Sequence, residues 1–199
     1  NGYYRTDLSA EMSLDLKFNR FRLAALNPVV AVVATNLRGM LTGDLNIKGS
    51  TKSPKINGRL ELPKVAFTIS FLQSDYNLTN NPYIEITSNA IKFPQLQLRD
   101  TKYGTKGTLG GKIVHDNFKD FNLDLEINME ELLVLNTKPS ENDAYYGTAF
   151  TTGVIDIEGP PDRLNVNARV ETERNTSFNI PIGGATEVKR SSFVTFVNP

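Results

Sequence analysis

Cysteine is absent from this 199-residue chain, histidine occurs once, and 22 basic residues are balanced by 22 acidic ones. Without cysteine the chain has no disulfide, no thiolate nucleophile and no cysteine-based metal site. The balanced charge excludes the excess of lysine and arginine with which a protein displaces counterions from nucleic acid. It also argues against strong electrostatic steering toward an acidic partner.

Long apolar runs are missing as well. A transmembrane helix needs roughly 20 consecutive apolar residues, and the chain contains neither such a run nor a signal peptide. It starts without an initiator Met, in the middle of a pattern, and stops just after an apolar stretch. We therefore expect residues 1–199 to be one continuous segment of a longer protein, with any anchor or export signal outside it.

The chain does have a regular alternation of apolar and polar residues. Every second residue is apolar over 8–18, and residues 121–127 are another clear case. Side chains of a strand point to opposite faces in turn, so each stretch predicts a strand with one apolar and one polar face. Strands covered on both faces would be apolar throughout, so the pattern predicts an all-β, mainly antiparallel sheet. The alternation recurs at 41–47, 56–62, 65–71 and 164–170.

Glycine, asparagine and proline separate these strands and predict a meander with tight turns. Around Pro94 the apolar positions change from odd to even numbers, which predicts a bulge or a break. Asn27 followed by a proline predicts a short helix near 28–37, although the valines in that stretch favour a strand. Residues 43–62 and 153–170 form a weak internal repeat, because GDLNIKG and GVIDIEG each precede another alternating strand.

Candidate catalytic groups are few. His115 beside Asp116 is a possible general base, but a strand-end or turn position is the commoner role for a histidine that lacks a nearby nucleophile. A zinc site would need carboxylates for its remaining ligands, so we expect no metal and no other cofactor. Paired carboxylates can form a glycosidase site, yet solvation of the polar strand faces explains them equally well. They are Asp15, Asp44, Glu61, Glu85, Asp124, Glu126, Asp156 and Glu158.

The apolar face has two interpretations. In a sandwich a second sheet covers it, and physical reasoning alone favours that arrangement. In the other interpretation the sheet curls and leaves the face partly uncovered, so that it holds acyl chains. Burying hydrocarbon is worth roughly 0.8 kcal/mol per methylene, so such a groove needs no specific polar contact.

Two glycine-spaced stretches resemble the TamB family of translocation and assembly module proteins: NLRGMLTGDLNIKG over 36–49 and PKINGRLEL over 54–62. Both resemble the family's pattern of glycines separated by alternating apolar residues. Later stretches are similar to the C-terminal region of TamB proteins from Bacteroidetes-type bacteria, and the order of these motifs carries the resemblance. The later stretches are LVLNT at 133–137, YYGTA at 145–149, NIPI at 179–182 and FVTFVNP at 193–199.

The resemblance implies an AsmA-like β-taco, a long sheet folded along its length around an apolar groove. It further implies a protein that is anchored in the inner membrane by an N-terminal segment not present here, spans the periplasm and engages an Omp85-type outer-membrane barrel. Family members are implicated in moving phospholipid to the outer membrane and in assembling outer-membrane proteins, and the resemblance carries over no catalytic residue.

Strand parity and the resemblance together predict which residues line the groove and contact acyl chains. The predicted residues are Leu41, Leu45, Ile47, Leu60, Leu62, Val65, Phe67, Ile69, Phe121, Leu123, Leu125, Ile127, Leu164, Val166 and Val170. Two alternatives stay open. The chain could be a structural module that docks on the outer-membrane barrel by strand addition. It could also be a carbohydrate-active β-enzyme with paired carboxylates.

Overall fold

A computed structural model describes residues 2–4, 11–31, 34–50, 53–70 and 72–181. The predicted strand positions 8–10 and Phe71, and most of the motif residues at 182–199, lie outside these ranges. The described residues form one sheet of fourteen strands, and each strand pair in it is antiparallel. The predicted all-β, mainly antiparallel fold is therefore confirmed.

The strands, in chain order, are β1 (Gly2–Tyr4), β2 (Glu11–Arg22), β3 (Ala34–Arg38), β4 (Met40–Ser50), β5 (Ser53–Glu61), β6 (Ala66–Ile69), β7 (Ser74–Thr79), β8 (Tyr83–Thr87), β9 (Ala90–Asp100), β10 (Lys106–Asp116), β11 (Lys119–Thr137), β12 (Tyr146–Gly159), β13 (Asn165–Thr172) and β14 (Ser177–Asn179).

Several of these strands are halves of one longer strand. Only Gly39 separates β3 from β4, and the two pair with β6 and β5, from Ala34 opposite Ile69 to Ser50 opposite Ser53. In the same way β7 and β8 together pair with β6 and β5, and β13 and β14 both pair with β12. Once the halves are joined, each long strand pairs with the next one along the chain. The sheet is thus an up-and-down meander, as the turn residues predict.

Bulges interrupt three of the long strands. Arg20, Gln95 and Glu131 have φ values of 56°, 45° and 50°, and each lies in or beside a register shift. An extra residue in one strand bends that strand and increases its twist. The bulge at Gln95 is the irregularity that the change of parity around Pro94 predicts. Bends of this kind let the sheet curl.

The helical segment is shorter than the predicted range of 28–37. A 3₁₀ turn at Leu23–Leu26 leads into α1 at Asn27–Val30, and Ala34–Arg38 is already strand β3. The Asn27 side chain joins the two parts, because its Oδ1 accepts the Leu37 N–H at 2.8 Å and its Nδ2 donates to the Leu37 carbonyl at 3.1 Å. Pairing with β6 gives residues 34–38 a sheet partner that a helix would have to give up.

The apolar face of the sheet encloses one core cluster. Phe18 of β2 and Ile155 of β12 both pack against this cluster, although they come from opposite ends of the meander. Such contacts require the sheet to curl with its apolar face turned inward, which is consistent with a β-taco. The buried members are Leu23, Leu41, Ile56, Leu60, Leu62, Val65, Tyr76, Leu78, Ile86, Leu96, Leu98, Met129 and Leu132.

Candidate functional site

Inward-facing side chains line up in rows that cross the sheet at right angles to the strands. One row joins seven strands through the register partners Leu16, Leu45, Gly58, Ile86, Ile91, Ile113 and Leu123. A second row consists of Leu96, Leu109, Ile127, Ile155 and Ala168. Neighbouring strands lie about 4.8 Å apart, so the six spacings of the first row extend roughly 29 Å. The inner face therefore carries apolar stripes along the direction in which strands are added.

Glycines on the inner face leave room for the neighbouring strand. A Cβ on Gly58 would overlap the Leu45 side chain and the carbonyl oxygen of Asp44. Gly43 and Gly153 hold the same place in the two copies of the internal repeat, and their φ values are nearly equal at +146° and +138°. The glycine spacing thus reflects close strand packing and a backbone conformation that side chains rarely adopt.

Burial varies across the inner face. Nine of the fifteen predicted groove residues belong to the core cluster or pack against it: Leu41, Leu45, Ile47, Leu60, Leu62, Val65, Phe67, Ile69 and Ile127. The other six lie outside it, with Phe121, Leu123 and Leu125 half-buried and Leu164, Val166 and Val170 exposed. The predicted lining residues from β4 to β6 therefore pack into or against the core, whereas those in and just before β13 form an open surface.

We call the open part of the inner face the apolar shelf, and it consists of Phe121, Leu123, Leu125, Ile157, Leu164, Val166 and Val170. Register places Leu125 opposite Ile157, and Ile157 opposite Val166. Val166 leaves 57% of its surface exposed, whereas Leu60 in the core leaves 3%. The shelf continues the core's apolar rows without a covering layer among the described residues.

The opposite face carries a row of charges beside the first apolar row. Every residue in this charged row is ionisable, and most neighbours across strands have opposite signs. It consists of Lys17, Asp44, Arg59, Glu85, Lys92, Lys112, Asp124 and Glu158. Cross-strand pairs of opposite charge stabilise a sheet by roughly 0.2–1 kcal/mol each.

The charged row accounts for four of the eight carboxylates that a paired-carboxylate enzyme could use. Two more of the eight also have cross-strand partners. Asp156 Oδ2 lies 2.9 Å from the Arg169 guanidinium, and Asp15 accepts a hydrogen bond from Asn46. These contacts give the carboxylates a place in the solvated face of the sheet. Asp124 and Glu158, which are register partners, also line one cavity of about 430 Å³.

His115 lies at the end of β10 and is buried, with 3% of its surface exposed. Its Nδ1 accepts the Phe118 N–H at 3.2 Å, and its ring stacks on Phe118 at 4.3 Å between centroids. Asp116 is not its orienting partner, because the Asp116 carboxylate accepts from Asn117 instead. The histidine therefore closes a turn between β10 and β11, which is the simpler of its two predicted roles.

The sequence did not indicate two buried polar side chains, Tyr76 and Asp100. Tyr76 is buried, and its hydroxyl donates to the Leu133 carbonyl at 2.6 Å across the curled sheet. Burial raises the pKa of the Tyr76 phenol. Asp100 accepts the N–H groups of Lys102 and Tyr103 at 3.0 and 2.7 Å, and so fixes the turn between β9 and β10. The Tyr76 contact joins residues whose proximity no local pattern indicates, whereas the Asp100 contacts lie within one turn of the chain.

A third feature that the sequence did not indicate is the ion pair between Arg38 and Asp75. The guanidinium binds both carboxylate oxygens, at 2.9 and 2.6 Å, and the Thr68 and Thr101 hydroxyls donate to the same carboxylate. Burial raises the pKa of Asp75, but the hydrogen bonds, above all those from Arg38, outweigh burial and hold it below its usual value. The pair joins β3 to β7 across β6.

No cluster of three or more His, Asp or Glu in the described ranges is arranged to hold a metal ion. Within the same ranges, no helix has the length and apolar character needed to cross a membrane.

Comparison with known families finds one match over half of the chain. The model of the TamB C-terminal domain matches residues 95–199, which include β10 to β14 and thus the whole apolar shelf. The glycine-spaced stretches at 36–62 precede the matched region. No curated protein and no solved structure matches the chain.

Proposed function

The chain belongs to the TamB family of transport and assembly proteins of the cell envelope, and from this membership we propose that it is part of a bridge that carries phospholipid. In this proposal acyl chains lie along the apolar rows while the headgroups stay in solvent. The bridge spans the periplasm from an inner-membrane anchor, an N-terminal segment outside this chain, to an Omp85-type barrel, and it serves outer-membrane biogenesis. No step in it requires catalysis.

The observation that carries the proposal is the apolar shelf. Val166 and Val170 lie on the same face as the core residues, yet they are exposed. Exposing apolar area to water is unfavourable by roughly 25 cal/mol per Å², so an uncovered shelf favours a bound apolar partner. The rows contain no charged residue, so acyl chains would bind through area alone. We therefore expect little discrimination between phospholipids.

Photocrosslinking in cells that make the whole protein tests the proposal. A photoreactive residue at Val166 faces the shelf, and one at the neighbouring Asn167 has similar access but faces the polar side. We expect lipid adducts, identified by mass spectrometry, at Val166 and only background at Asn167. Equal lipid adducts at the two positions, or none at Val166, would refute the proposal.

The docking alternative has one supporting observation. Among the described residues, β13 pairs only with β12, so its other edge is open to a further strand. An Omp85-type barrel could bind there by strand addition. In that case the residue at Val166 would crosslink to the barrel protein and yield no lipid adduct, which separates docking from carriage.

A further inference from the structure

The polar face of the sheet contains a cleft that lipid carriage does not use. Its volume is about 500 Å³. Phe150 lies in β12 between the buried residues Ala149 and Thr151, so its side chain points to the face opposite the core. The cleft is therefore on the other side of the sheet from the apolar shelf. It is lined by Tyr103, Thr105, Glu131, Phe150, Glu173, Arg174 and Asn175.

Irregular backbone on both sides of β12 shapes this cleft. Glu131 occupies the bulge of β11 with φ 50°, and Asn175 lies in the break between β13 and β14 with φ 66°. The Glu131 N–H donates to the Thr152 hydroxyl at 3.0 Å, and the Phe150 N–H donates to the Thr176 hydroxyl at 3.1 Å. Bulges often re-aim side chains beside binding sites, and here a bulge and a strand break turn polar side chains toward one cleft.

The third wall is the turn between β9 and β10, which presents an exposed aromatic ring. Tyr103 leaves 53% of its surface exposed, although the buried carboxylate of Asp100 holds its backbone in place. Its ring meets that of Phe150 at 5.1 Å between centroids, and the Lys102 ammonium lies 5.0 Å from its centroid. An aromatic side chain held on a fixed turn loses little conformational entropy when a ligand binds to it.

We propose that this cleft binds an oligosaccharide. A sugar ring presents C–H groups that pack on the negative face of an aromatic ring such as Tyr103. Its hydroxyls both donate and accept, and the rim offers acceptors on Glu131 and Glu173 and donors on Arg174. With Lys102 beside Tyr103, the two carboxylates are balanced by two cations, so the cleft offers a polyanion no net positive charge, and the polar rim disfavours an acyl chain. The proposal is independent of lipid carriage, because it concerns the other face of the sheet.

Saturation-transfer NMR on the whole 199-residue chain tests the proposal, with cellotetraose, chitotetraose and maltotetraose as separate probes. We expect transfer to at least one tetrasaccharide and a Kd that Tyr103→Ala raises about tenfold, while Tyr103→Phe leaves it within about twofold. Phe178→Ala is the matched control, because Phe178 is 54% exposed but lies outside the cleft, and it should not change binding.

A second variant, at an exposed position, distinguishes loss of binding from loss of structure. Arg174→Ala removes an exposed side chain from the rim and should weaken binding while the circular dichroism spectrum stays that of the parent. Absence of transfer to all three sugars would overturn the proposal. So would a Kd that Tyr103→Ala and Arg174→Ala leave unchanged, because the sugar would then bind elsewhere on the chain.

Discussion

A charge placed on the apolar shelf should abolish lipid binding and leave the fold in place, and Val166→Asp is the variant in which the two effects separate best. Val166 is 57% exposed in the absence of lipid. Full burial of a valine side chain stabilises a fold by roughly 1.5–3 kcal/mol, so the partial burial of Val166 contributes about 1 kcal/mol to the free energy of unfolding. The lower strand propensity of aspartate adds up to about 1 kcal/mol. The total loss should stay below about 2 kcal/mol.

The effect on lipid should be much larger. An acyl chain on the shelf would bury the new carboxylate without a partner, which costs several kcal/mol. Because about 1.4 kcal/mol corresponds to a tenfold change in affinity, we expect lipid retention to fall at least about a hundredfold. Lipid that copurifies with the chain is measured by mass spectrometry, and the free energy of unfolding by urea titration with circular dichroism.

Two control variants make the outcome decisive. Asn167→Asp introduces the same charge one residue away on the polar face and should retain lipid. Leu60→Ala truncates a core side chain that is 3% exposed and should cost about 2–5 kcal/mol of stability. If Val166→Asp destabilises the chain as much as Leu60→Ala, the shelf is not open. If Val166→Asp and Asn167→Asp retain lipid equally, the shelf is not the lipid site.

Three further changes test the fold itself, each by urea unfolding. Gly111→Ala should lower the free energy of unfolding by at least about 2 kcal/mol, because φ is +112° and a Cβ would overlap a carbonyl on β11. A Cβ on Gly110 meets no atom closer than 3.9 Å, so Gly110→Ala should be nearly neutral, and equal effects of the two variants would refute this account. Tyr76→Phe should cost about 1–3 kcal/mol by leaving the buried Leu133 carbonyl unpaired, and an unchanged midpoint would contradict that hydrogen bond. The pKa of Asp75 is lowered from 3.8, so its stabilisation is present above that pH and is lost as the pH falls below it. Asp75→Asn should therefore lower the free energy of unfolding at neutral pH and weaken its decline below about pH 4. A decline below pH 4 as steep as that of the parent would count against this prediction.

The strands and their facing could be predicted from the sequence because both are local properties. Alternation over 121–127 is enough to define a strand and its two faces, and it falls within β11. The change of parity at Pro94 predicts the bulge found at Gln95. The helix near 28–37 was only partly predicted, because the pairing of β3 with β6 depends on residues some thirty positions away.

The depth of burial could not be predicted in the same way. Leu60 and Leu125 each lie between two charged residues in an alternating stretch. Leu60 nevertheless lies in the core, and Leu125 lies on the half-buried shelf. What separates them is the curl of the sheet, a property of all the strands together. The oligosaccharide cleft was missed for a related reason. Glu131 and Glu173 are far apart in sequence, and a bulge in β11 and the break after β13 bring them to one cleft.

The rows on the two faces explain how so regular a sheet holds its register. A slip by one residue would move the apolar row to the solvent and the charged row into the core, so both rows oppose it. Neither row determines where the core ends and the shelf begins, because the same kinds of side chain run through both. That boundary depends on the bulges that bend the strands, at Gln95 and Glu131 among others. The backbone thus sets how much of the apolar face stays exposed, and the side chains set the chemistry of the exposed part.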